Sequence, residues 1–391
     1  MKILQILPYY APAWAYGGPP RVMYDTAIKL TERGHTVSVC TTDAFEKDKR
    51  IGYKENIDRG IHIRYFRNIS NSLAWNSKKF IPLGLGGYLD RHIREYDIVH
   101  FSGIRNYLNL VSYRILKKNA IPYAVDAHGA LPVATGYLKG AARVFDRMFT
   151  KPFLSDAKLL FAQTSHEADA FNSITGDRKT VKLMPLSVDL KEFGRLPSRG
   201  GFRSRYGIGK QEKLIVFLGR ISKDKGIGLI LEIFRKLGRN DTRLVIIGRD
   251  DGYLDALHKQ AGEHGISDKV IFTGPLYSDE KKSVFADCDL FLFTPGYWEE
   301  TSMATLEALA CGLPVITVKQ AEIPFLEEYR AGFNLERDAG VISAKVSGLL
   351  DDELLRNEYS SNALKLINER YDSDKRIVEL EGLFEEAIKV K

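Results

Sequence analysis

The sequence predicts an α/β protein built from two doubly wound parallel sheets. Two observations carry that expectation. Short apolar runs of strand length alternate with amphipathic helical patterns along most of the chain. The alternation breaks once, at 190–205, where Gly194, Pro197, Gly200 and Gly201 cluster. The expected domains are therefore 1–195 and 196–372, and the 391-residue length has room for both.

Each element has a local reason. In the first half the runs 3–7, 36–41, 61–66, 98–101, 123–126, 159–162 and 181–184 are short and apolar, so they read as strands. Segments 22–33, 108–118, 138–153 and 165–171 read as the helices between them. In the second half, 214–218, 243–247, 270–273, 290–293 and 315–317 read as strands. Segments 227–237, 253–264 and 301–311 read as helices. Gly312 and Pro314 stop the last of these, as a C-cap glycine and a following proline do. Residues 373–389 form a final amphipathic helix, with Ile377, Leu380, Leu383, Phe384 and Ile388 at helical spacing.

Composition narrows the function classes. Hydrophobic content of 44% and charged content of 27% are those of an ordinary globular chain. No run approaches the length of a membrane span, and the N-terminal segment reads as a first strand rather than a signal peptide. Cys40, Cys288 and Cys311 stand far apart, which fits a reducing cytoplasm. The net charge of +7 is uneven: residues 1–195 hold 29 Lys+Arg against 18 Asp+Glu, and the second half carries a slight acidic excess. No nucleic-acid motif accompanies the basic half, so no nucleic-acid partner is expected.

The most informative stretch runs from Pro295 to Val315. Glu299 falls in a loop after an apolar run, and Glu307 about two turns inside the following helix. A helix N-terminus lies between them, and its free N–H groups suit a phosphate. Two carboxylates flanking an anion site suit a nucleotide-sugar, with a ribose on one side of a diphosphate and a hexose on the other. A second segment, Gly219-Arg-Ile-Ser-Lys-Asp-Lys-Gly226, also follows a strand. There Arg220 can fork to phosphate oxygens and Lys225 can add a point charge. Paired glycines, Gly17 and Gly18, precede the first helix. His128 stands in Asp126-Ala-His-Gly129 at the end of a strand, where ligands gather in such sheets. His100 also ends a strand and reads as structural.

These segments resemble the retaining glycosyltransferases of family four, with their E-x7-E signature, over nearly the whole chain. The resemblance implies the GT-B fold: two facing Rossmann-like domains with an interdomain cleft, the terminal helix 373–391 joining the first. It implies that Glu299 contacts the donor sugar and Glu307 the ribose. Arg220 and Lys225 would bind the diphosphate, and His128 would contact the sugar near the reacting carbon. Gly17 and Gly18 would lie near the pyrophosphate and acceptor, and Gly248 and Leu276 in loops framing the base. Gly219, Glu300, Thr301, Ser302 and Met303 complete the expected donor-binding set. The chain departs from the family at Glu300-Thr301-Ser302, where Gly-Phe-Gly is common, and at Pro185-Leu-Ser-Val-Asp189.

The expected activity is transfer of a sugar from a UDP- or GDP-linked donor to an acceptor hydroxyl, in polysaccharide or glycolipid synthesis. A nucleotide-sugar epimerase and a non-catalytic nucleotide-sugar-binding protein are the alternatives. No cofactor and no metal are expected, because no D-x-D or histidine cluster stands ready to clamp a diphosphate. The acceptor is expected to be a sugar or lipid-linked glycan. Lys139, Arg143, Arg147 and Lys151 recur along one helix, beside Leu138, Ala142, Phe145 and Phe149. Trp75, Lys78, Lys79, Phe80 and Leu83 make a second basic and aromatic group. Together they suggest peripheral attachment to an anionic inner membrane face.

Overall fold

A computed structural model describes residues 1–16, 18–129, 131, 144–176 and 181–389. The chain divides into two compact units, one of Met1–Met184 with Ile377–Lys391, the other of Pro185–Arg376.

The first unit holds an eight-stranded sheet. Its strands are β1 (Lys2–Ile6), β2 (Thr36–Thr42), β3 (Glu55–Asp58), β4 (Ile61–Phe66), β5 (Ile98–Ser102), β6 (Tyr123–Asp126), β7 (Leu159–Ala162) and β8 (Val181–Leu183). The order is β3-β4-β2-β1-β5-β6-β7-β8, parallel except for the β3–β4 pair. β1 is buried on both faces because it lies mid-sheet, which explains its apolar residues, and the one polar residue among them, Gln5, donates to Met23 O at 3.2 Å. Strand order reverses between β1 and β5, so the loop after β1 stands at the switch point. The last helix, Ser373–Lys389, lays Ile377, Leu380, Phe384 and Ala387 into this unit's core. Glu381 on the same helix accepts from Arg33 Nε and pairs with His35 Nε2, both at 2.7 Å.

The second unit holds six parallel strands: β9 (Lys213–Leu218), β10 (Thr242–Ile247), β11 (Val270–Gly274), β12 (Leu290–Phe293), β13 (Val315–Val318) and β14 (Gly332–Leu335). Their order is β11-β10-β9-β12-β13-β14, with the reversal between β9 and β12.

The structure differs from three expectations. The division falls after Met184, not after residue 195, because 185–195 pack with the second unit. Val188 and Phe193 sit in its core, and Val188 N–H donates to Tyr371 O at 2.9 Å. The glycine-rich stretch expected as a linker is folded as well. Phe202 is buried in the helix Gly201–Arg205, and Arg203 donates to the carbonyls of Gly209, Glu212 and Asp287. The returning helix likewise joins the first unit at Ile377 rather than at 373. Several elements escaped the sequence reading, among them β3, β14 and the helices Asn71–Ser77, Leu85–His92 and Ser278–Asp287.

Candidate functional site

The site residues of the second unit gather at its switch point. β9 runs into Gly219–Gly226 and β12 into Thr294–Ser302, and the two strands are paired neighbours. Gly226 lets their loops meet. It sits at φ +69°, and a Cβ there would fall 1.8 Å from the Thr294 carbonyl oxygen. Thr294 Oγ1 donates to Gly226 O at 3.1 Å, and Gly296 N–H donates to Asp224 O at 2.8 Å. Gly248, after β10, allows an equally close approach: its Cβ would lie 1.7 Å from Gly219 O. Leu276, after β11, packs half-buried on the core.

This closeness brings Lys225 onto Glu299. The Lys225 Nζ donates to both carboxylate oxygens, at 2.6 and 2.7 Å. Glu299 is itself held by its N–H, which donates to Gln320 O at 2.7 Å. Arg220 donates to Asp251 at 2.6 Å and reaches Asp224 at 3.6 Å. Each diphosphate-binding candidate is therefore a cation already matched to a carboxylate. Neither carboxylate partner of Arg220 was singled out in the sequence, since nothing local marks an aspartate 31 residues away.

Past Glu299 the backbone enters the helix Met303–Ala310 through the N-cap Ser302, whose side chain makes no capping bond. Thr301 and Ser302 are buried, and Thr301 Oγ1 has no hydrogen-bond partner among the described residues. The N-terminal N–H groups of this helix therefore have no side-chain cap from Ser302. Glu300 is half-buried, whereas Met303, Tyr297 and Trp298 are exposed. Glu307 accepts from Lys281 Nζ at 2.7 Å, across from the helix Ser278–Asp287. Lys281 is a residue the sequence did not point to, because its helix lacks a clear apolar stripe.

In the first unit, His128 follows β6 at φ +49°, a conformation histidine adopts more readily than most residues. Its Nδ1 lies 2.6 Å from the Gln163 side-chain amide. With that amide donating, the ring proton sits on Nε2. Nε2 is buried and has no partner among the described residues. Burial lowers the His128 pKa, so the ring is neutral at pH 7 and offers one N–H donor. Glu167 braces the same corner, accepting from Gly129 N–H at 2.7 Å and Gln163 N–H at 2.9 Å. His100 is structural: it is buried, pairs with Asp126 at 2.5 Å and meets Phe161 and Phe384 edge-on. Gly18 opens the helix Gly18–Glu32, and Gly17 lies outside the described residues. So do Leu138, Lys139, Ala142 and Arg143, whereas Arg147 and Lys151 are exposed. No group of three His, Cys, Asp or Glu side chains among the described residues could hold a metal ion. No helix among them is long and apolar enough to cross a membrane.

Comparison with known proteins meets this geometry from outside. Residues 16–192 match Glycosyltransferase Family 4, and residues 199–366 match Glycosyl transferases group 1. An uncharacterized glycosyltransferase of Methanocaldococcus jannaschii is 25% identical over 390 residues, covering 92% of this chain and 93% of its own. The D-inositol 3-phosphate glycosyltransferase of Mycolicibacterium smegmatis is 26% identical over 328 residues, covering 79% of this chain and 72% of its own. Among solved structures, Anabaena HepE in complex with UDP-glucose superimposes with a TM-score of 0.67 at 19% identity, covering 100% of both chains. The two parallel Rossmann-like sheets are those of the GT-B fold.

Proposed function

We propose that this glycosyltransferase, a hexosyltransferase-type enzyme with the GT-B fold, moves a hexose from a nucleoside-diphosphate sugar to an acceptor hydroxyl with retention. The observation that carries the reading is the convergence of Arg220, Lys225, Glu299 and an uncapped helix N-terminus on one sheet's switch point. In the proposed step the bond from the anomeric carbon to the diphosphate oxygen breaks. A bond to the acceptor oxygen forms on the same face, and the acceptor proton passes to the departing phosphate oxygen. Negative charge grows on the diphosphate as it leaves. Arg220, Lys225 and the N–H groups near Thr301 stabilise that charge, so no divalent cation is required. The diphosphate competes with Asp251 and Glu299 for the two cations, which frees the Glu299 carboxylate for the sugar hydroxyls. Glu307 holds the ribose. His128 offers its Nε2–H as a hydrogen-bond donor on the first unit.

A UDP-linked hexose is the first donor to test, because the Anabaena protein was solved with UDP-glucose. The acceptor side is read from charge. The basic half of the chain favours an anionic acceptor, a lipid-linked glycan or a phosphorylated polyol of the kind named in the mycobacterial relative. We place the enzyme on the cytoplasmic face of a membrane, in polysaccharide or glycolipid synthesis.

The test is donor turnover at subsaturating UDP-hexose, in EDTA, with product stereochemistry read by NMR. Arg220→Ala and Lys225→Ala should each lower kcat/KM about 100-fold or more, as loss of a charge-stabilising donor does. Unchanged turnover in both variants would remove the leaving-group role from these residues. An inverted product would overturn retention.

A further inference from the structure

Residues 67–83 form a compact surface whose outward face is both aliphatic and basic. Two short stretches pair antiparallel: the bridge joins Asn68 to Pro82, Ile69 N–H donates to Ile81 O at 3.1 Å, and Leu83 N–H donates to Arg67 O at 2.8 Å. Side chains alternate across such a ribbon. Asn68 and Pro82 point inward and are buried, which turns Arg67, Ile69, Ile81 and Leu83 outward. Ile69 and Leu83 are 55% and 54% exposed. The helix Asn71–Ser77, capped by Ser70, adds Leu73 at 42% exposure. Exposed Lys78 and Lys79 follow it. No acidic residue occurs between 67 and 83.

The underside of this surface is fixed. Trp75 meets Tyr16 edge-on at 5.4 Å, Phe80 packs on Tyr9 at 5.3 Å, and Tyr9 stacks on Tyr16 at 4.6 Å. The Lys78 ammonium sits 4.9 Å above the Tyr16 ring. Those tyrosines belong to the loop after β1, which leads into the glycines before the first helix. The patch therefore packs directly on the loop at the first unit's switch point.

We propose that the outward face of 67–83 is the surface by which this enzyme docks on an anionic lipid bilayer. The inference deepens the membrane attachment proposed above and rests on it. Charge complementarity selects the occupant. Aliphatic side chains standing proud of the backbone enter the acyl boundary, while Arg67 and Lys79 meet headgroup phosphates. A lipid-linked acceptor held in that bilayer would then lie beside the loop after β1.

The experiment is sedimentation of the full chain with phosphatidylcholine vesicles, with and without phosphatidylglycerol, at low salt. Wild type should bind only the anionic vesicles. Ile69→Ser with Leu83→Ser, and separately Arg67→Glu with Lys79→Glu, should each weaken binding about tenfold or more, with turnover of a soluble acceptor unchanged. Both pairs are exposed, so either one keeps the test open if the other misfolds. If wild type binds no vesicle, the membrane attachment itself fails. If wild type binds and both pairs bind equally well, this surface alone is wrong. Loss of binding confined to Arg147→Glu with Lys151→Glu would move the role to that helix. A wild-type dimer abolished by the serine pair would show the occupant to be a second copy, which also overturns the proposal.

Discussion

Replacing Gly226 with alanine should damage the second unit far more than its one added methyl suggests. Two costs combine there. The residue sits at φ +69°, which costs a non-glycine residue about 1–2 kcal/mol. The added Cβ also falls 1.8 Å from the Thr294 carbonyl oxygen. Both sides of that clash are backbone, so no rotamer change relieves it. The loops must separate by about 1.5 Å, a repacking worth roughly 1–3 kcal/mol. The expected total is about 2–5 kcal/mol, reaching the upper end for a single substitution. At a urea dependence of about 2 kcal/mol per molar, the second unit's midpoint should fall by roughly 1–2.5 M. The displaced segment carries Glu299, so donor KM should rise in whatever folded protein remains. Gly238→Ala provides the control. It has φ +62° but nothing within 4 Å of the added Cβ, so only the first cost applies. A Gly226→Ala midpoint no lower than that of Gly238→Ala would refute the close approach of these loops.

Lys281→Gln and Glu307→Gln should each raise donor KM about tenfold and blur the preference for ribose over deoxyribose, with little change in kcat. The double variant should be no worse than either single one, because the two groups form one contact at 2.7 Å, and additive effects would separate their roles. A third test concerns Glu381. Burial pushes its carboxyl up, but the hydrogen bonds of Arg33 and His35 outweigh burial and hold its pKa below the usual 4.5. Its folded pKa is thus the lower one, so its contribution is present above pH 4.5 and lost as pH falls through the folded value. Glu381→Gln should cost about 1–2 kcal/mol at pH 7, after discounting for the exposed Arg33, and less near pH 3. An equal cost at both pH values in urea titrations would rule out the ionic origin.

The sequence made the sheets legible because their strands are buried on both faces and read as plain apolar runs, as in β12 with Leu290, Phe291, Leu292 and Phe293. Helices with a broad apolar face, such as Ile227–Leu237, were equally plain. The helix Ser278–Asp287 was not, because only Val284, Phe285 and Asp287 are buried on it. Edge strand β3 was lost for a related reason: Glu55, Asn56 and Ile57 are exposed, so nothing in the chain marks them as paired. At the site, Arg220, Lys225 and Glu299 stand in local motifs, and the structure pairs Lys225 with Glu299 while Arg220 pairs with Asp251. The partners set by long-range packing were not. Asp251 and Lys281 are ordinary surface types in sequence, and only the strand order brings them to Arg220 and Glu307. The expected linker failed because its glycines signal turns, while Phe193 and Phe202 signal burial, and burial prevailed.

The return of the last helix has a consequence for biosynthesis. The first unit is assembled from two separated stretches, Met1–Met184 and Ile377–Lys391, with the second unit inserted between them. While the ribosome is still elongating, β1, β2 and β7 have no cover from Ile377, Leu380 and Phe384. Residues 185–376 are a continuous stretch and have every strand they need before translation ends. The unit begun second is therefore free to finish first. The unit begun first waits for the helix Ser373–Lys389, and until that helix is made Phe161 lacks its ring contact with Phe384.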